Sequence, residues 1–425
     1  MAYREITALL GGWPGFELVD VQREEPTPER PTARIVLTLQ PLPGHPKTCS
    51  RCGQAVTAVH DVTPRDVRDL PILDAETWLV LPRARVDCPR CGPTVEAVPW
   101  LDRYQRMTTR LAEAIARLAQ VLAIKHVAAW YAVGWDTVKQ IDQRALARRL
   151  GPVDRVDLSG VRIIALDEFA VHRGHRYATI VADPLTRRVL WVGRGRADED
   201  VQAFFALLGP AGCARLEAVV MDMSPAFARV VRAACPQAAI VYDRYHIIAH
   251  YGQQVVDRVR VTEMNRVGHA LPRGDPGRQR RIAARRVFWS ARWLLLRRRA
   301  SLTRPGERVR LRELLQANRA LFVAYVLKED LAQLWRYRAP WAARRFWRDW
   351  YRRALASGLA PLIRFARQLD ARIDGVINHC RYPLNTGFLE GMMNKIKVLK
   401  RVAYGYRDDE YFFLKIRAAF PGIPG

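Results

Sequence analysis

Two matching Cys-x-x-Cys-Gly knuckles, Cys49-Ser-Arg-Cys52-Gly53 and Cys88-Pro-Arg-Cys91-Gly92, constrain this chain more than any other feature. Thiolates three positions apart grip one ion from a tight turn, and the glycine lets the backbone turn where a side chain would clash. Two such turns set four sulfurs in a tetrahedron, which suits Zn2+. The stretch between the knuckles must fold back on itself, and 78–86 reads as one strand of a β-hairpin that does so. Four thiolates leave no open coordination position, so the site is structural. The rival reading, four ordinary buried cysteines, has the duplicated motif against it. Cys213, Cys235 and Cys380 stand alone and read as packing residues. An odd total of seven argues against a disulfide framework and for a reducing cytoplasm.

Charge narrows the partner. The chain has 425 residues, enough for about two to four domains. Its 69 Lys and Arg outnumber 42 Asp and Glu, a formal +27. Such a surplus repels itself unless a polyanion is bound. Nucleic acid is the first candidate, because each neutralised phosphate releases counterions. An anionic membrane ranks lower, since no run of about 18 apolar residues appears. The bland alternative, an Arg-rich genome, does not explain why acids are so outnumbered. The opening residues carry Glu5 and no apolar core, unlike a secretory signal.

Over 107–150 the apolar spacing is helical. Leu111, Ile115, Leu118, Ala119 and Leu122 mark one helix. Ile124, Val127, Ala128 and Tyr131 mark a second, short one, and Val138, Ile141, Ala145 and Leu146 a third. Ala132-Val133-Gly134 makes the turn before the third, a helix-turn-helix pattern. The third helix is then the one that enters the major groove, with Trp135, Asp136, Thr137, Lys139, Gln140 and Arg144 as readers. A plain three-helix bundle has the same spacing; the zinc neighbour and the basic charge favour DNA.

Beyond Gly160 the pattern alternates α and β. Short apolar runs at 161–166, 177–182, 189–192, 218–221 and 238–242 read as buried strands. Asp183-Pro184 signals a turn, and Ser224 with Pro225 starts a helix. Asp167 directly follows the run 161–166, and Asp222 directly follows 218–221. Carboxylates at the ends of adjacent strands meet at one sheet edge. Phosphoryl transfer on DNA uses such acids to hold two metal ions about 4 Å apart. Glu168 is expected on the opposite strand face from Asp167, and Asp183 is the other nearby competitor; taken singly, each acid is a turn former or cap. The stretch 243–369 is Arg-rich and helical. Trp341, Phe346, Trp347, Trp350 and Tyr351 recur near helical spacing, with the tryptophans expected in the core and the arginines toward DNA. In a final helical block over 384–416, Glu390, Asn394, Lys397 and Arg401 share one face. Leu389, Met393, Ile396 and Ala403 share another.

These segments together resemble the bacterial insertion-sequence transposases of the ISL-three family. The resemblance runs through the knuckles, the helix-turn-helix, Leu166-Asp167-Glu168-Phe169, Val220 to Ser224, Tyr242-Asp243-Arg244-Tyr245-His246 and Asn385 through Tyr406. Its most specific part is Glu390-Gly391 with Asn394-Lys395-Ile396-Lys397 and Ala403-Tyr404-Gly405-Tyr406. Asn385-Thr386 stands where Ser-Asn is more usual. The resemblance implies a DDE catalytic domain of ribonuclease-H-like fold, with Asp167, Asp222 and Glu390 holding two Mg2+ or Mn2+ ions. Asp243-x-x-His246 is similar to a motif of related transposases; His246 either contacts DNA or orients a metal ligand, or the pair is a capping Asp and a packing His.

The expected architecture is multidomain α+β. It comprises an N-terminal strand-containing segment (1–46), a zinc-binding module (47–104) and a helix-turn-helix domain (105–150). A ribonuclease-H-like α/β catalytic domain follows (160–245 and 375–412), interrupted by a helical insertion (246–374). The expected activity is binding of an element's terminal inverted repeats, strand cleavage and strand transfer, by a dimer or larger assembly on DNA in the cytoplasm. Its rivals are an inactive zinc and helix-turn-helix regulator, and a nuclease of the same fold without strand transfer.

Overall fold

The computed structural model describes residues 5, 7, 9–172, 174, 176–268, 277–384 and 387–423; Asn385 and Thr386 lie outside the described residues. The chain divides into two units, 1–151 with 400–415, and 152–399 with 416–425.

The first unit is built on β1 (Phe16–Glu24), β2 (Arg34–Pro41), β3 (Val59–Ile72), β4 (Ala75–Cys88) and β5 (Gly92–Val95). Their order is β1-β2-β4-β3, with β5 paired to β4. Ala75, Thr77, Leu79 and Leu81 of β4 are buried and their neighbours are not, the period of a strand with one face on a core. That face meets Trp13, Phe16, Leu18, Leu37, Leu39 and Trp100. Residues 1–46 and 47–104 therefore share one sheet and one core, and the expected boundary between them is not a structural one. Neither β1 nor β2 has a layer of its own to bury its apolar face. At the far end of the β3–β4 ribbon, Ala84, Val86 and Cys88 form a separate small cluster with Cys49 and Val56.

Three helices follow, α1 (Thr109–Ala119), α2 (Ile124–Tyr131) and α3 (Trp135–Leu150). Thr108 caps α1 by accepting the Leu111 amide, and Ala132 ends α2 in the left-handed region at φ 47°. Leu111, Ile115, Ala119, Val127, Tyr131 and Val138 form their core, as the spacing predicts. Residues 409–415 of the C-terminal helix Asp409–Ala419 belong here through Tyr411 and Lys415. Lys415 Nζ donates to the Ala119 carbonyl (2.5 Å) and pairs with Asp142 of α3 (2.7 Å), which also accepts from the Tyr411 hydroxyl and Gln120. Residues 400–415 thus pack with the helix-turn-helix instead of with the α/β sheet, to which the sequence reading assigned 375–412.

The second unit holds a mixed sheet of β6 (Ile163–His172), β7 (Arg176–Asp183), β8 (Arg188–Arg194), β9 (Ala218–Met221) and β10 (Ala239–Tyr242), ordered β10-β9-β6-β7-β8. β6, β7 and β8 are antiparallel neighbours; β6, β9 and β10 are parallel. Helix α4 (Asp198–Arg215) joins β8 to β9, and α5 (Pro225–Ala234), capped by Ser224, joins β9 to β10. β9 is buried throughout, as a strand covered on both faces must be.

After β10 come α6 (Arg244–Tyr251), α7 (Arg258–Gly268), α8 (Arg278–Ser290), α9 (Arg292–Leu296), α10 (Glu307–Ala317), α11 (Arg319–Leu331), α12 (Pro340–Leu355), α13 (Ala360–Asp370) and α14 (Ile373–Ile377). Then come α15 (Gly387–Val402) and α16 (Asp409–Ala419). Of the aromatic stripe, Trp347 and Trp350 are buried and stacked at 5.0 Å, Phe346 and Tyr351 are half-buried, and Trp341 is exposed. Both buried indoles have partners: Trp350 donates to the Leu327 carbonyl (2.9 Å) and Trp347 to Asp370 (2.7 Å). Gly375 brings the chain back to β10, where a Cβ would lie 2.6 Å from the Tyr242 ring. Among the described residues no helix is long and apolar enough to cross a membrane.

Candidate metal centres and nucleic-acid interface

The four knuckle sulfurs lie within 4.8 Å of one another. Cys52 Sγ and Cys88 Sγ are 3.7 Å apart, close to the roughly 3.8 Å edge of a tetrahedron with Zn–S bonds of about 2.3 Å. Pairing of Cys88 with Gly92 across β4 and β5, and of Cys49 with Glu96, sets the two turns side by side. Gly53 and Gly92 have φ of 72° and 70°, yet a Cβ on either would touch nothing. Backbone conformation, and not the expected clash, is what requires glycine. Burial opposes ionisation of Cys49, but the amides of Cys52 and Arg51 outweigh it and bring the thiol down to about 6. Burial and the neighbouring sulfurs push Cys91 up to about 12. A cluster that resists carrying several negative charges is one that a dication relieves. Cys213 and Cys235 are buried, in keeping with packing roles.

In α3, Trp135, Asp136, Thr137, Gln140 and Arg144 are exposed as expected. Lys139 is not a free reader: it pairs with Asp408 at 2.8 Å, and its ammonium lies over the Trp135 and Tyr411 rings. Thr137, Gln140 and Arg144 line a groove of about 570 Å³ with Arg106 and Arg117 of the same unit. Sequence reading missed Asp142, because a buried acid on a polar-looking helix has no signal until its partner, Lys415, is known.

In the sheet, the register Ile163↔Ala218 to Ala165↔Val220 sets Asp167 and Asp222 level, each two residues past the last pair and on the same side. Asp222 directly follows its strand as expected. Asp167 does not: β6 continues to His172, because its partner β7 runs on where β9 stops. Asp167 is 8% exposed. Burial raises its carboxyl, the Glu168 amide and His246 oppose this, and the charges of Asp222 and Asp243 add to it, leaving it at about 6. Asp243 caps α6 through the Tyr245 amide (2.8 Å) and accepts from His246 Nδ1 (2.8 Å). That hydrogen bond, opposed by burial and helped by the three aspartate charges, raises His246 above its ordinary value. The capping reading of Asp243 is therefore met, and the pair also faces the acids.

Asp222, Ser224, His246 and His250 line a cleft of about 590 Å³. Glu168 lines it too, against the expectation that it would point away, and there it pairs with Arg196 at 2.6 Å. Asp183 is spent on its turn, accepting from Leu185 and Thr186. Glu390, Asn394, Lys397 and Arg401 are all exposed on α15, the shared face that the spacing predicts. The buried stripe is Leu389, Met392 and Ile396, so Met392 replaces the expected Met393, and Ala403 lies past the helix end. Neither Asp167, buried beside Asp222, nor Glu390 is among the residues lining the cleft, and among the described residues no hydrogen bond or ion pair ties Glu390 to the aspartates. The structure brings together Asp167, Asp222, Asp243 and His246, and does not add Glu390.

Residues 45–91 match the zinc-finger of transposase IS204/IS1001/IS1096/IS1165. Residues 96–146 match the helix-turn-helix domain of transposase family ISL3, and 164–416 the DDE transposase domain of that family. The chain is 46% identical over 423 residues, 99% of each protein, to the transposase for insertion sequence element IS1001 of Bordetella parapertussis. It is 28% identical to the transposase for insertion sequence element IS1557 of Mycobacterium tuberculosis, covering 99% of this chain and 97% of the relative. The cysteine cluster is accordingly a structural zinc site, and the chain is a DNA transposase. It belongs to the ISL3 family of DDE transposases.

Proposed function

We propose that this transposase binds the terminal inverted repeats of its element through the zinc module and the helix-turn-helix, then cleaves and transfers DNA strands at Asp167 and Asp222, the latter lining the cleft. The observation that carries this reading is the level placement of those two carboxylates on and just past adjacent parallel strands, where the charge of Asp222 raises the carboxyl of Asp167. The order β10-β9-β6-β7-β8, with helices in both parallel crossovers, supports a ribonuclease-H-like catalytic domain. The helical stretch between β10 and Gly375 is then its insertion.

The acidic donors here, Asp167 and Asp222, offer carboxylate oxygens, with His246 and His250 lining the cleft beside them, and oxygen donors suit a hard dication such as Mg2+ or Mn2+. A bound pair of such ions supplies charge neutralisation at the attacking and leaving oxygens. Asp167 and Asp222 are the proposed ligands, and Glu390 the third, brought in when DNA engages the exposed face of α15. On that face Asn394, Lys397 and Arg401 hold phosphates. Asp243 holds His246 in place beside the aspartates through its Nδ1 hydrogen bond. In α3, Trp135, Thr137, Gln140 and Arg144 contact DNA, while Lys139 braces the helix. Joining two element ends requires a dimer or larger on DNA.

Asp167→Asn tests the reading. Metal-dependent cleavage of terminal-repeat DNA should vanish while binding to that DNA stays nearly unchanged; cleavage retained by the variant would remove Asp167 from the chemistry.

A further inference from the structure

Helices α8 and α9 form one nearly continuous rod. The Ala291 amide donates to the Val287 carbonyl (3.1 Å) and the Leu295 amide to Ala291 (2.9 Å), so the helical phase carries through the junction. Phe288, Ala291 and Leu295, spaced three and four, are buried and dock the rod on the helical core. The other side carries Trp289 and Trp293, one turn apart, at 73% and 68% exposure. Ile282 and Val287 are exposed nearby. Neither indole NH has a hydrogen-bond partner among the described residues. Tryptophan is highly buried on average, and adjacent exposed rings mark a surface that meets something.

Charge identifies what it meets. The sequence of α8 has five arginines and no acid. Arg285 and Arg286 are exposed beside the rings, and the Arg292 guanidinium lies 5.2 Å from the Trp293 ring centre. A second copy of this chain docking by two-fold symmetry would set this basic helix against itself. An intact duplex offers phosphates to the arginines but hides the faces of its bases. An unpaired strand offers both, and base–aromatic stacking beside cations is how such strands are held.

We propose that Trp289 and Trp293 form a stacking platform for unpaired DNA, with Arg285 and Arg286 holding its phosphates. The proposal rests on the strand-cleavage reading above only for the source of the unpaired strand, the ends freed when an element is cut.

The test uses the full-length protein with EDTA present, so that cleavage plays no part. Fluorescence anisotropy would compare a fluorescein-labelled oligothymidylate of about 15 nucleotides with a blunt duplex of unrelated sequence. Trp289→Ala and Trp293→Ala should each weaken oligothymidylate binding roughly tenfold, leave duplex binding within about twofold, and leave the melting temperature unchanged, as expected for exposed rings. Trp289→Phe and Trp293→Phe should retain most of the affinity. Ultraviolet cross-linking of an iododeoxyuridine oligonucleotide to the unsubstituted protein should yield adducts at Trp289 or Trp293, a result that does not depend on any variant folding. Three outcomes would overturn the proposal: adducts only elsewhere, an equal loss on duplex, or a drop in oligomeric mass in the alanine variants. Asp167→Asn, assayed for cleavage with Mg2+, reports separately on the reading it rests on.

Discussion

Asp167 carries the residue-scale argument. Its carboxyl titrates near 6 in the folded chain, against an ordinary value near 3.8. A carboxyl raised by folding stabilises the native state below its unfolded value, and that contribution is lost as pH rises through the folded one. In metal-free protein the loss should therefore fall between about pH 4 and pH 6, and amount to at most about 3 kcal/mol. The melting temperature of the unsubstituted chain minus that of Asp167→Asn should decline across this window, and Mg2+ should restore it above pH 6. A flat difference would show that the charge of Asp167 is not penalised. The neighbouring acids give a second prediction. Glu390→Gln should reduce cleavage more than a hundredfold if Glu390 joins the aspartates on DNA. Asp243→Asn keeps the cap on α6, since Asn caps nearly as well as Asp, and should reduce cleavage less. The reverse order, measured by single-turnover cleavage, would make Asp243 the third acid. Asp167 and Asp222 were legible in sequence because each stands just beyond an apolar run. The true extent of β6 was not, because it depends on which neighbour each part of the strand finds. Nor does spacing along one helix reveal where the face of Glu390 points in three dimensions.

At the scale of elements, periodicity gave α1, α2 and α3, because each has apolar residues at helical spacing and the α2–α3 turn closes on Ala132, but Leu122, expected on the first stripe, lies past the end of α1 and is exposed. It failed for the C-terminal helix, whose partners lie far away in sequence. Lys415 is buried and pairs with Asp142, which has no exposed surface. Removing one member of such a pair leaves the other charge uncompensated, a loss of about 3–5 kcal/mol. Lys415→Met should thus lower the denaturation midpoint of the helix-turn-helix unit substantially. The double variant Lys415→Met, Asp142→Leu should recover part of the loss. If the single variant melted like the unsubstituted protein, Lys415 would be a bystander and the Tyr411 hydroxyl bond to Asp142 would hold α16 in its place. The zinc ribbon was legible for a different reason: covalent chemistry at four fixed positions survives any register of the strands between them. What the knuckles did not reveal is that β1 and β2 complete the same sheet, since sheet partners outside a motif leave no spacing to read.

For the whole molecule the deciding quantity is the formal +27. Ion pairs such as Arg229–Asp198 and Arg353–Asp330 neutralise some of the arginines, and 69 basic residues cannot all find partners among 42 acids. The remainder repel one another in the free protein and are attracted to phosphate in the complex, so salt must act with opposite sign on the two. Raising salt from about 0.05 M to about 0.5 M shortens the Debye length from roughly 14 Å to roughly 4 Å. Screening then relieves the self-repulsion, and the DNA-free protein should melt several degrees higher. Over the same range DNA affinity should fall steeply, with log K declining by about 0.9 per phosphate contacted for each tenfold rise in salt. Arg144→Ala should make that slope shallower by about one contact. Lys139→Ala should leave it nearly unchanged, because its charge is already taken by Asp408. Were the free protein to melt lower in high salt, the surplus would already be neutralised within the fold, and charge alone would no longer point to nucleic acid.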